Sequence, residues 1–227
     1  IRPNSATETK SGNFSVAVFE GDSNMGVAFG IYDTVYGAPV RPGGAESGNV
    51  TIDLKQKRAD FRGELDLGAG FFSVLHTRFG YSDYSHSELD DGVVGTIINV
   101  KGFEGRAELE QAEHGTWKGS LGTQYSFRDF ESLGEEAYIP ANLTEQYAFF
   151  GLQEAAVGPL QLQFAGRYER SNVSALTVGF QRGYDSVSAA ISLAHETDGG
   201  LRFGINGSRA QRAPSAEELL ANGAHAA

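Results

Sequence analysis

The sequence predicts an all-β fold: an antiparallel, up-and-down transmembrane β-barrel segment of about ten strands. Three observations predict it. Apolar and polar residues alternate with a period of two along successive runs. Short turns recur near residues 22, 69, 114, 158 and 199, a spacing of roughly 40 to 47 residues. The chain also carries 30 Gly, 15 Phe and 9 Tyr against a single Met, a composition skewed to turns and strands.

The clearest run is Trp117 to Arg128. Its odd positions are Trp117, Gly119, Leu121, Thr123, Tyr125 and Phe127, and its even positions are Lys118, Ser120, Gly122, Gln124, Ser126 and Arg128. Such a strand lies between two unlike environments. A soluble, acidic all-β binding module would turn the apolar face inward. A membrane barrel would turn it out to lipid and leave the polar face to the lumen. This strand alone fits either.

In chain order, residues 12–20 and 25–34 flank the turn Gly21-Asp22-Ser23-Asn24, and an irregular stretch follows from Val35 to Gly48. In residues 49–67, Val50, Ile52 and Leu54 hold one phase while Phe61, Gly63, Leu65 and Leu67 hold the other. That slip predicts a bulge or a strand that leaves its layer. Gly68-Ala69-Gly70 turns the chain into residues 71–84, and the acidic residues 85–94 read as a loop before a strand at 95–111. After the Trp117 strand come a loop at 130–145, strands at 146–156 and 160–170, a loop at 171–184, and strands at 185–197 and 201–210. Ser215 and Glu218 have the spacing of a capping box, so a short helix is predicted at residues 215–220.

Short and long connections therefore alternate, hairpin after hairpin. A Greek-key sandwich mixes its connection lengths, whereas outer-membrane barrels alternate theirs. The runs also suit the roughly 9–11 residues a tilted membrane strand needs, and aromatic residues gather near strand ends, as in interfacial girdles.

Bulk properties narrow the function. A net charge of −11 and a pI near 4.9 leave no basic stripe to neutralise phosphates, which excludes a nucleic-acid partner. With no Cys there is no disulfide framework or thiolate metal site. Mean hydropathy is −0.29, and no apolar run reaches the roughly 18 residues of a membrane helix. No Gly-x-Ser-x-Gly or phosphate loop occurs, so no enzyme is predicted.

One group stands out chemically. His86, Glu88, Asp90 and Asp91 place an imidazole beside three carboxylates, ligand types that suit Zn²⁺ or a similar divalent ion. The alternative is a solvated acidic loop. His76 lies beside Arg78 in a polar phase and is a weaker ligand candidate. Glu131, Glu135 and Glu136 can attract cations or serve only solubility.

Two stretches resemble a known family. Arg209-Ala-Gln-Arg212-Ala-Pro214-Ser-Ala-Glu217-Glu218-Leu-Leu-Ala-Asn222-Gly223-Ala-His225 resembles the R-x-x-R-A-P-S-x-E-E-L-x-x-N-G-x-H stretch of TonB-dependent outer-membrane receptors. Tyr36-Gly37-Ala38-Pro39 and Val50 to Arg58 resemble the Y-G-x-P loop and I-D-L-x-Q-x-R strand of the same family, nearest the zinc- and haem-type branch. The resemblance implies a 22-stranded barrel with an N-terminal plug, energised by TonB. It further implies uptake of a metal ion or chelate such as zinc, haem or ferric siderophore across a bacterial outer membrane. Residues 1–227 are expected to form part of the barrel domain. No plug domain, TonB box, signal peptide or closing strand is recognised in them, and TonB is expected to act through a plug outside this chain. Lipid and lipopolysaccharide are the expected surroundings. Arg209 and Arg212 are expected to contact a plug or an anionic lipopolysaccharide group, or else to fix the local loop.

Overall fold

The computed structural model describes residues 3–39, 49–134 and 137–222. Ten strands form one antiparallel sheet in strict sequence order, each bonded to the strands before and after it. They are β1 (Thr7–Glu20), β2 (Ser23–Gly37), β3 (Val50–Asp66), β4 (Phe72–Asp90), β5 (Val93–His114), β6 (Trp117–Gly134), β7 (Asn142–Val157), β8 (Leu160–Ala175), β9 (Phe180–Glu196) and β10 (Arg202–Arg209), followed by a short helix α1 (Ala216–Leu220).

The strands are longer than the sequence pattern suggests. β5 has 22 residues, about 70 Å of extended chain at roughly 3.3 Å per residue. The extra length changes two expected loops. Residues 85–94 are not a loop: β4 and β5 run on and meet at Asp91-Gly92, whose φ angles are 47° and 85°. Two central residues at positive φ make the tight hairpin turn that Asp-Gly favours. Residues 171–184 are likewise mostly strand, reduced to a single 3-10 turn at Leu176–Val178 closed by Gly179 at φ 67°. Strict alternation of short and long connections therefore does not hold. The long connections that remain are residues 38–49 and 135–141.

β3 contains no bulge. Its register to β2 and β4 is unbroken, and the shifts fall instead in β4–β5 and β5–β6. The phase slip has another cause, visible once the faces are followed across the sheet. Phe61, Phe79, Phe103, Tyr125 and Tyr147 lie on one face of five adjoining strands, with successive ring centroids 5.7, 6.3, 6.2 and 4.8 Å apart. The same face carries Val16, Val18, Val27, Phe29, Leu121, Phe149, Ile191 and Ile205, all exposed. Further up, this outward phase turns polar, with Lys55, Lys57, Asp83, Lys101, Asp129, Glu145 and Asp185. Tyr125 and Tyr168 donate hydrogen bonds there to Glu145 at 3.1 Å and to Asp185 at 2.7 Å. An apolar belt thus ends in an aromatic girdle and a charged rim, as expected where a wall emerges from lipid into a headgroup layer. Val50, Ile52 and Leu54 belong to the upper wall, where the outside is wet and apolar side chains turn inward.

Burial tells the same story. Among the described residues the buried hydrophobics are Phe130, Ile139, Ala148, Ala155, Val173, Ala175 and Ala216. Seven, mostly small, side chains do not make the core of a soluble module of this size. The exposed apolar belt far exceeds what a soluble monomer leaves to water.

Candidate functional site

The other face of the sheet is concave and charged. Residues two apart on a strand share a face, and this spacing builds ion pairs along it. Arg58 bonds Asp60 at 2.7 and 2.8 Å, Arg106 bonds Glu108 at 2.7 Å, and Arg167 bonds Glu169 at 2.6 Å. Other bonds cross between strands: Gln124 donates to Glu104 at 2.7 Å, Ser126 to Gln146 at 3.1 Å and Arg167 to Gln124 at 3.2 Å. His76 stands 3.5 Å from Glu64 and 3.2 Å from Glu110. The guanidinium of Arg106 lies 4.0 Å from the centroid of Phe150. Gly122 gives that ring its place, because a Cβ there would run into the Phe150 ring.

The chain after β10 closes over this face. β10 pairs only up to Arg209 opposite Ala189, halfway along β9. Gln211 then takes over the edge: its backbone N–H donates to Ser188 Oγ at 3.0 Å, and its side-chain oxygen accepts from the Val187 N–H at 3.1 Å. The chain next crosses to β6. Arg128 donates to Glu217 at 2.6 Å, and the Asn222 N–H donates to the Tyr138 carbonyl at 3.0 Å. The capping box forms as the sequence predicts, with Ser215 Oγ accepting from the Glu218 N–H and Glu218 accepting from the Ser215 N–H. The Arg212 fork grips Glu218 at 2.6 and 2.7 Å. Arg212 and the Ser215 N–H together hold the Glu218 carboxyl down at about 2. Burial pushes Glu217 up, but its own backbone N–H and Arg128 leave it below the usual carboxylate range. Pro214 and Ala216 line the underside of this strap. Strap and sheet enclose a groove of about 1360 Å³.

The proposed ion ligands sit apart from the groove's centre. His86, Glu88 and Asp90 share the inward phase of β4 near its upper end. His86 Nδ1 is 2.7 Å from the Tyr84 hydroxyl, and its Nε2 is 3.5 Å from Glu88 Oε1. Asp91 lies in the turn and accepts from the Asn49 N–H at 3.2 Å. The fold thus brings His86 and Glu88 together and leaves Asp91 occupied elsewhere. Among the described residues no three His, Asp or Glu side chains converge to hold a metal. Glu131 points outward and accepts from Asn99 at 3.1 Å. Glu135, Glu136, Gly223 and His225 lie outside the described residues. Arg212 braces the strap, whereas Arg209 ends β10 on its outward phase and its side chain makes no ion pair or hydrogen bond among the described residues. The Arg128–Glu217 link, 89 residues apart in sequence, and the Phe150 contact were invisible before the strands were paired.

A curled, hairpin-built sheet with an apolar outside and a charged, strapped inside defines a wall segment of a large membrane barrel. The chain belongs to the TonB-dependent receptor-like β-barrel family, whose family model matches residues 3–227. Solved structures agree in fold. The FrpB iron transporter from Neisseria meningitidis (F5-1 variant) superposes with a TM-score of 0.77 at 14% identity, covering 94% of this chain and 38% of that one. The copper transporter OprC gives 0.74 at 13% identity, covering 93% of this chain and 38% of that one. The chain therefore spans about two fifths of the length of these transporters. The family is one of bacterial outer-membrane barrels.

Proposed function

We propose that this chain forms part of the wall and upper rim of an outer-membrane importer for a metal ion or metal chelate, driven by TonB through a plug domain outside these residues. The observation that carries the reading is the pairing of two opposite faces on one family-matched sheet: a lipid-ready outside and a charged groove roofed by its own strap. The neighbours in fold are an iron and a copper transporter, which supports a metal-bearing cargo. His86 and Glu88 offer a two-ligand edge on the upper inward face, where a zinc-like cation would draw its remaining ligands from other parts of a complete receptor. Haem and ferric siderophores are the chelates of the same class. Lipopolysaccharide would lie against the charged outer rim.

The test is uptake. Cells carrying the complete receptor should accumulate iron, copper or zinc, free or chelated, from limiting medium, and should lose that gain when TonB is deleted. Accumulation of all three metals that is the same with and without the receptor would overturn the proposal.

A further inference from the structure

We propose that the outward face carries a groove for one acyl chain of a phospholipid with an ammonium headgroup, at the end of the sheet where β1 turns into β2; this goes beyond the transport reading and holds whatever the receptor imports. Val18, Met25, Gly63 and Thr77 stand in one row across β1 to β4, each directly opposite the next. Val16, Val27, Phe61 and Phe79 form the outward row above it. Below it, Glu20 is opposite Ser23 and Leu65 is opposite Leu75. Gly63 is the one position in this patch without a side chain. It leaves a depression between Phe61 and Leu65, flanked by Met25 and Thr77. These residues and Glu20 line a groove of about 320 Å³.

The floor of the groove is closed and apolar. A Cβ on Gly63 would come 2.8 Å from Thr77 Oγ1 and 3.2 Å from Phe61 Cζ, so both side chains lean over the glycine. The Thr77 hydroxyl donates to the Gly63 carbonyl at 3.3 Å and is satisfied within the sheet. Val18, Met25 and Leu65 are 58, 57 and 49% exposed, and a hydrocarbon chain laid in the groove covers them. β2, β3 and β4, which carry most of the walls, each have both neighbouring strands in place. Strands elsewhere in a complete barrel therefore do not lie over the groove, and a plug on the inner side does not reach it.

Size and charge choose the occupant. Sites for whole small molecules run to roughly 300–1000 Å³, so this groove takes a single chain and not a folded partner. From the row of Phe61 to the row of Glu20 is four residues, about 13 Å at roughly 3.3 Å per residue. One leaflet of a hydrocarbon core about 30 Å thick is close to that depth. Glu20 ends β1 beside the turn at Gly21, where the chain leaves the apolar belt. Turns of this kind lie on the periplasmic side of an outer-membrane barrel, where the leaflet is phospholipid. The groove is lined by Glu20 and Glu64 and by no Lys, Arg or His. That rim attracts an ammonium headgroup and repels an anionic one.

The experiment uses the complete receptor in detergent, stripped of lipid and titrated with phosphatidylethanolamine or phosphatidylglycerol of identical tails, bound lipid being counted by native mass spectrometry. Phosphatidylethanolamine should be retained about threefold more strongly, the scale of an exposed ion pair. Glu20→Gln should bring the two lipids level, and Gly63→Leu, which fills the depression, should abolish the retained lipid. A phosphatidylethanolamine with a photoreactive tail should crosslink to Met25 and Leu65 ahead of other outward residues, and unlabelled phosphatidylethanolamine should compete. Three outcomes overturn the groove: crosslinks spread evenly over the outer face, equal retention of the two lipids by the unaltered protein, or competition by lipopolysaccharide in place of phosphatidylethanolamine. The crosslinking uses unaltered protein, so it decides the matter even if Gly63→Leu fails to fold. Neither readout involves metal uptake, so failure of the groove leaves the transport reading standing, and failure of uptake leaves the groove.

Discussion

The two faces of this sheet share every backbone hydrogen bond and differ in what they are for. The outward apolar belt is covered by no other part of the described chain: Phe149, Ile191 and Ile205 are more than half exposed, and the outward hydrogen bonds to carboxylates are confined to the girdle and rim. The inward face is cross-linked within itself, by ion pairs two residues apart, by bonds between strands and by the strap that runs from β10 to β6. One face is therefore specified by its solvent, and the other by its own partners. A change on the outward face should be felt through the membrane term, and one on the inward face only where it breaks a specific fit.

The largest expected effect tests this directly. In a complete receptor folded into lipid vesicles, Leu121→Arg on the outward face should cost about 2–4 kcal/mol in denaturant unfolding, the scale for a charge near the bilayer midplane. Gln146→Lys on the inward face, which removes only the acceptor for Ser126, should cost about 1 kcal/mol. Equal costs would erase the distinction between the faces.

A smaller contrast sets two glycines against each other. Gly122→Leu drives a side chain into the Phe150 ring that Arg106 covers, and overpacking of this kind costs about 1–3 kcal/mol. Gly166, on the outward phase, has no atom within 4 Å of a built Cβ, so Gly166→Ala should be neutral within about 0.5 kcal/mol in the same assay.

The smallest effect concerns the strap. Arg128 and Glu217 are 38% and 41% exposed, so a double-mutant cycle on this pair should return about 0.5–1 kcal/mol. Its clearer readout is hydrogen exchange at the Asn222 amide, which Arg128→Ala should speed. Acid should lower the protection of that amide, its rate being taken relative to an unstructured amide at the same pH. The Glu218 carboxyl, held at about 2 against an ordinary 4.5, has a depressed folded value. Its contribution is therefore complete above pH 4.5 and is lost as the pH falls toward about 2. Arg212→Gln should flatten that response. Protection independent of pH in the unaltered protein would show that Glu218 does not hold the strap.

The period-two pattern made both faces legible from the chain alone, since alternation such as Leu121–Gly122–Thr123–Gln124 depends only on neighbours. The capping box at Ser215 and Glu218 was equally local. What stayed hidden depends on register. Val18, Met25, Gly63 and Thr77 are unremarkable singly and become a row only when four strands are aligned. Phe150 broke the alternation of β7 by placing an aromatic on the polar face, a signal that could have marked it as a partner for cations. The slip in β3 predicts a bulge or a strand that leaves its layer only for a strand with one solvent on each side along its full length. A strand that leaves lipid halfway exchanges its outer solvent, and its apolar phase reverses with no change in the backbone. The Asp91-Gly92 turn was legible too, but the acidic residues around it, including the candidate ligands His86 and Glu88, masked a strand end as a loop.

The strap has a consequence for shape. It is fastened to β9 at Ser188 through Gln211 and to β6 at Arg128 through Glu217, so it spans the arc of wall between them as a string spans a bow. An arc held by a chord of fixed length cannot flatten or tighten without breaking an anchor. The strap thus ties two separated stretches of the wall to each other across its inner face.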